Sequence, residues 1–158
     1  ESLWVYRCGS PAIREEHRQG VVKVRPYSQV LGRLRAIGLR PTRQRLALAK
    51  LLFEGEERHV TAELLHSEAI EAGIKVSLAT VYNTLHQFTT VGLLHEIAVD
   101  SSRSYFDTNT SEHHHFYNEK NGHLEDIPGD QIQIAQLPTA PSGSKIDRVD
   151  IVIRLAPQ

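Results

Sequence analysis

The chain has 158 residues, 40% of them hydrophobic and 23% charged, with a formal net charge of -1. That composition can furnish a core and excludes an obligately disordered polymer, and the length allows one ordinary domain or two small ones. A single cysteine, Cys8, excludes an internal disulfide framework and every cysteine-rich zinc scaffold, and no run approaches the roughly 18 apolar residues of a membrane span.

The opening residues lack a charged patch followed by an apolar run and a small-residue cleavage site, so the cytosol is the expected compartment. Charge is unevenly placed. Between Lys23 and Lys50 stand eight basic residues (Lys23, Arg25, Arg33, Arg35, Arg40, Arg43, Arg45 and Lys50) and no acid. Surfaces usually mix signs, so an acid-free tract suggests a part that meets a polyanion. A solvated helix face is the plain alternative.

In chain order, residues 1–27 show no sustained period and read as an N-terminal extension. Val30, Leu31, Leu34 and Ile37 then recur at helical spacing up to Gly38. Pro41-Thr42 opens a second helix with Leu46, Leu48, Leu51, Leu52 and Phe53. Thr61 caps a third, with Leu64, Leu65, Ala69 and Ala72 before Gly73. Ser77 caps a fourth, in which Leu78, Val81, Leu85 and Phe88 are expected to face inward. The period then shortens. Leu93–Val99 and Arg103–Thr108 read as a hairpin, and His113–Lys120 and His123–Ile127 as a second one turning at Asn121-Gly122. A stretch rich in proline, glycine and serine follows. Val149, Ile151, Ile153 and Leu155 then alternate as a half-buried strand. The expected fold class is α+β, with helices and a hairpin first and a small sheet second.

Residues 62–72 and 78–90, joined by five residues, have the outline of a helix-turn-helix, and the hairpin after them suits a wing. With the apolar residues inward, the last helix would offer Ala79, Tyr82, Asn83 and His86 on its other face. Ala79 permits close approach, Tyr82 offers a ring and a hydroxyl, and Asn83 can pair with adenine.

His113-His114-His115 is the most unusual local feature. In a strand, His113 and His115 share a face and His114 points away. A two-residue turn at Asn121-Gly122 would set Asp126 opposite Tyr117, on the face of His113 and His115. Two imidazoles and a carboxylate suit iron, manganese or zinc. They would also suit a metallohydrolase with Glu112 or Glu125 as base. For His17, His66, His86, His95 and His123, a surface or core role is expected.

Three segments together resemble the ferric uptake regulator (Fur) family. They are Gly38-Leu39-Arg40-Pro41-Thr42-Arg43-Gln44-Arg45, His59-Val60-Thr61-Ala62, and Ser77-Leu78-Ala79-Thr80-Val81-Tyr82-Asn83-Thr84-Leu85, followed by the histidine block and Asp126. The triplet makes the chain most similar to the iron response regulator (Irr) branch. The resemblance implies a homodimeric, metal- or haem-responsive repressor of iron and haem homeostasis that binds an operator in double-stranded DNA. It implies an extension at 1–27, a winged-helix DNA-binding domain at 28–108, and an α/β dimerisation and sensing domain at 109–158. The implied metal ligands are His59, Asp107, His113, His115 and Asp126. Haem at His113, His114 and His115 is the alternative cofactor reading. The DNA-contact set is Arg43, Arg45, Ser77, Ala79, Thr80, Tyr82 and Asn83.

The sequence also departs from family patterns. Asn118 and Asn121 stand where many relatives have a cysteine pair, so no cysteine-ligated structural zinc is expected. Cys8-Gly9-Ser10-Pro11 replaces a Cys-Pro haem motif, which leaves a free thiol as the expectation at Cys8. The stretch after Ile127 is short for the helix that relatives place there. Iron-dependent peroxide sensing is the rival within the superfamily, and no membrane partner is expected.

Overall fold

The computed structural model describes residues 27–157; the extension, with Cys8 and His17, lies outside them. The described chain falls into two compact units that divide after residue 110.

The first unit is mainly helical. Helix α1 spans Tyr27–Ala36, α2 Arg43–Phe53, α3 Ala62–Glu71 and α4 Leu78–Thr90. Three of these begin at a hydroxyl that accepts an otherwise orphaned backbone N–H. Thr42 accepts from Arg45, Thr61 from Leu64 and Ser77 from Thr80. At the other ends, Gly38, Gly73 and Gly92 have φ near +75°, which lets each chain turn out of its helix.

The buried faces of the helices meet in one hydrocarbon cluster that includes Leu34, Leu48, Leu52, Leu65, Val81, Leu85 and Phe88. Burying each of these large side chains favours folding by about 1.5–3 kcal/mol. Three residues expected inside are outside: Ile37 is 42%, Leu64 47% and Leu78 36% exposed. Ile37 lies beyond the end of α1, and Leu78 is the first residue of α4, a turn ahead of the packed stretch. Thr84 is buried in α4 instead.

Two short strands and the hairpin complete this unit. Strand β1 (His59–Val60) pairs with β3 (Arg103–Asp107), which pairs with β2 (His95–Asp100), all antiparallel. Asp100 pairs directly with Arg103, and its Oδ1 accepts from the Ser102 backbone N–H at 2.8 Å, closing the turn.

The second unit is a three-stranded sheet in the order β5-β4-β6. Strand β4 (His113–Asn118) runs antiparallel to β5 (His123–Pro128) and parallel to β6 (Val152–Leu155). The hairpin differs from the two-residue turn expected. Asn118 pairs with His123, so the loop has four residues, and the Gly122 N–H donates to the Asn118 carbonyl oxygen. The side chains of Asn118 and Asn121 accept the N–H groups of Lys120 and His123, which makes the longer turn the better satisfied one. The register moves by two residues, so faces are preserved, and Asp126 stands opposite His115 rather than Tyr117.

The expected half-buried alternation at the C-terminal end is absent. Strand β6 starts only at Val152, and Ile153 and Leu155 are exposed. Between β5 and β6, the one helical piece among the described residues is a three-residue 3-10 turn, Gly129–Gln131.

Candidate metal centre and duplex-facing surface

In the first unit the β1–β3 ladder makes His59 and Asp107 direct cross-strand partners. Asp107 is almost wholly buried, and its two oxygens have separate tasks. Oδ1 accepts the Asn109 backbone N–H at 2.8 Å, and Oδ2 lies 3.4 Å from His59 Nε2. On its other flank β3 pairs Asp107 with His95. That neighbour escaped sequence reading, because only the ladder brings positions 95 and 107 side by side.

In the second unit, alternation along β4 sends His113 and His115 to one face, and β5 delivers Asp126 to it. Nε2 of each histidine is 3.6 Å from Asp126 Oδ1, and the two rings are 4.5 Å apart. Both histidines are nearly fully buried, whereas Asp126 is exposed. His113 Nδ1 lies 2.8 Å from the Ser111 carbonyl oxygen. A carbonyl only accepts, so Nδ1 is a nitrogen that carries a proton, and Nε2 is the one turned toward Asp126.

These three His–Asp separations are long for a hydrogen bond, whose N···O distance is about 2.7–3.2 Å. They fall within the roughly 3–4 Å that separates two ligand atoms bound to one cation at bond lengths of about 2.0–2.2 Å. In each unit the donor set is imidazole nitrogen with one carboxylate oxygen. The residues therefore fit a borderline or hard divalent ion such as manganese, iron or zinc.

His114 behaves differently. It is 3% exposed, and neither ring nitrogen has a hydrogen-bond partner. Burial is the main cause that pushes its pKa below the ordinary imidazole value, so the neutral ring is favoured.

On the first unit, Ala79, Asn83 and His86 lie exposed on α4, with Tyr82 half-buried beside them, and Arg43 is exposed on α2. Arg45 is turned inward. It donates to the Arg40 carbonyl oxygen and, at 2.6 Å, to Gln87 Oε1, tying α2 to α4. The hydroxyls of Ser77 and Thr80 are engaged with each other at 2.9 Å in the cap of α4. Two further contacts steady the turn before that helix: Gln44 Nε2 donates to the Lys75 carbonyl oxygen at 2.9 Å, and His66 Nε2 lies 3.1 Å from that of Val76. A hollow of about 370 Å³ beside α4 is lined by Leu39, Asn83, His86, Gln87, Thr90 and Val91, none of which is a metal-ligand candidate.

The model of the ferric uptake regulator family matches residues 36–154. The ferric uptake regulation protein of Shigella flexneri is 38% identical over 82 residues, which cover 52% of this chain and 55% of that protein. The chain thus spans about half the length of such curated relatives. The peroxide-responsive repressor PerR of Staphylococcus epidermidis is 34% identical over 105 residues, 66% of this chain and 69% of that one. Among solved structures, the ferric uptake regulator from Pseudomonas aeruginosa with manganese superposes with a TM-score of 0.61 at 23% identity, covering 81% of this chain and 97% of that one, a likeness of fold. No helix among the described residues is long and apolar enough to cross a membrane. Family members are transcription regulators rather than enzymes, and with three quarters of its length matched the chain belongs to the ferric uptake regulator family.

Proposed function

We propose that this chain is a metal-responsive transcription regulator that binds operator DNA as a homodimer. His59 and Asp107 of the first unit and His113, His115 and Asp126 of the second are the residues that would hold its divalent cation. The observation that carries the cation reading is the set of His–Asp separations of 3.4–3.6 Å within each unit, too long for hydrogen bonds and right for co-ligands. Asp107 and His113 are six residues apart, so the two half-sites are tethered within about 20 Å of extended chain. When bound, the cation would offset the charge of the carboxylates that hold it.

A cation held by both half-sites would restrict the chain at residues 108–112. The angle there sets the separation of the two copies of α4 in a two-fold dimer, which must match successive major grooves roughly 34 Å apart. A coupling of about 1–3 kcal/mol changes operator affinity by roughly 5–150-fold. On α4, Ala79, Tyr82 and Asn83 meet base edges. Arg43 meets phosphate, and Arg45 supports that surface from within through its bond to Gln87. The family assignment speaks against the metallohydrolase alternative.

The test is a titration of labelled operator, with and without chelator, using wild type and a His113→Ala/His115→Ala double variant. Wild type with metal should bind at least fivefold more tightly than the other three combinations; equal affinity in all four would sink the coupling.

Two finer readings separate experimentally. The likeness to a peroxide-responsive repressor, together with Asp126, supports peroxide sensing. It predicts one added oxygen on His113 or His115 when the iron form meets peroxide, visible by mass spectrometry. The histidine triplet and the Irr resemblance support control of iron and haem metabolism with haem at His113, His114 and His115. That reading predicts a Soret band that shifts on His114 replacement.

A further inference from the structure

On the exposed side of α4 the Tyr82 hydroxyl donates to Glu63 Oε1 of α3 at 2.6 Å. The Tyr82 ring stacks on the imidazole of His86, one turn further along, with centroids 6.3 Å apart and planes 23° from parallel. His86 is braced in turn. It meets Phe106 edge-on at 5.6 Å, and its Nδ1 lies 3.6 Å from Glu96 Oε2. Tyr82 is therefore held at its tip by one residue and along its face by another, and little rotamer freedom is left. A carboxylate in the first turn of α3 is favoured by the positive end of that helix, which accounts for an acid at position 63. It does not account for the carboxylate being turned onto the phenol of the next helix.

Two physical consequences follow. The phenolic proton is committed to a charge-assisted bond, so the hydroxyl can donate to a phosphate only by giving that bond up. Glu63 also sets a negative charge beside a surface meant for a polyanion, which disfavours every phosphate that approaches. The bond shows in the titration of both groups: it is the largest cause that lowers the Glu63 carboxyl below its ordinary range, and the largest that raises the Tyr82 phenol.

We propose that Glu63 is a positioning residue for Tyr82: through its bond to the hydroxyl it locks the ring as a reader of base edges and so sharpens discrimination between sequences, while its charge lowers affinity for every duplex alike. The proposal rests on the DNA-binding reading above.

The experiment uses the full chain as wild type, Glu63→Gln, Glu63→Asp, Tyr82→Phe and the Glu63→Gln/Tyr82→Phe double variant. Each is measured against a duplex that wild type selects from a random pool and against an unselected duplex, at two salt concentrations. Glu63→Gln should bind the unselected duplex about threefold more tightly, most clearly at low salt. Its ratio of selected to unselected affinity should fall roughly five- to tenfold, the size of one lost base contact. Glu63→Asp keeps the charge but cannot reach the phenol, so the ratio should fall while unselected binding stays at the wild-type level. The double variant should show the ratio of Tyr82→Phe alone, because Glu63 acts through the hydroxyl. Circular dichroism checks folding of each variant. In the free protein, the phenol absorbance assigned by difference from Tyr82→Phe should titrate at lower pH once Glu63 is Gln.

A wild-type ratio in Glu63→Gln, or losses in the double variant that simply add, would overturn the proposal and leave the DNA reading standing. A wild-type protein that prefers no duplex at either salt would remove the DNA reading and this proposal with it, while the phenol titration still reports whether the Glu63–Tyr82 bond exists.

Discussion

In residues 27–110 four helices close over one continuous hydrocarbon cluster, and three of them start at a hydroxyl cap. In residues 111–157 the buried apolar side chains among the described residues are Tyr117, Leu124 and Ile127, and the first three residues of the central strand are buried histidines. The first unit can hold itself together by removing hydrocarbon from water. The described residues of the second bury far less, and units of this size are often marginal without a metal, a disulfide or a second copy. Residues 111–157 contain no cysteine with which to form a disulfide, and they leave Ile146, Ile153 and Leu155 exposed. The difference teaches that the two units rest on different amounts of buried hydrocarbon, so a bound ion or partner has more to add to the second than to the first.

The largest effect should come from the first unit. Phe88→Ala in the centre of α4 should cost about 3–5 kcal/mol in urea unfolding followed by helical circular dichroism. A cost under about 1 kcal/mol would mean the cluster is not what holds the helices.

Next is the second unit's dependence on a ligand. Manganese at about 100 times its dissociation constant should stabilise β4 and β5 by roughly 2.7 kcal/mol, read as hydrogen-exchange protection. The amides of α1 and α2 should change little, and the gain should vanish in His113→Ala/His115→Ala. Equal protection everywhere would erase the contrast between the units.

The β4–β5 hairpin should be sensitive at Gly122, whose φ is +68°. Gly122→Ala there should cost about 1–2 kcal/mol, seen as a lower unfolding midpoint of the second unit. The smallest effect on stability is expected from Ile153→Ser/Leu155→Ser, within about 0.5 kcal/mol in the monomer. The same pair should lower the mass in sedimentation if the exposed strand is where a second copy packs; an unchanged dimer mass would place that contact elsewhere.

Much of the first unit was readable because its signals are local. Thr42, Thr61 and Ser77 cap the helices that their spacing predicts, and apolar residues at intervals of three and four mark the faces that meet. The faces failed at helix ends, where Leu78 and Ile37 keep the spacing but stay partly exposed. In the second unit the shared face of His113, His115 and Asp126 was legible despite an incorrect turn, since a shift of two residues keeps strand parity. The exposed side of β6 was not. Alternation says that two faces differ, but it does not say what covers the apolar one.

From the sequence alone come the order and kind of the elements, the acid-free tract, the histidine pair with its carboxylate, and the family resemblance, because each resides in spacing along the chain. The structure alone decided that Asp107 sits between His59 and His95, that Arg45 turns inward to Gln87, and that Glu63 holds Tyr82. Those are contacts between residues far apart in the chain. Their partners are set by how strands and helices pack, and no local period encodes that.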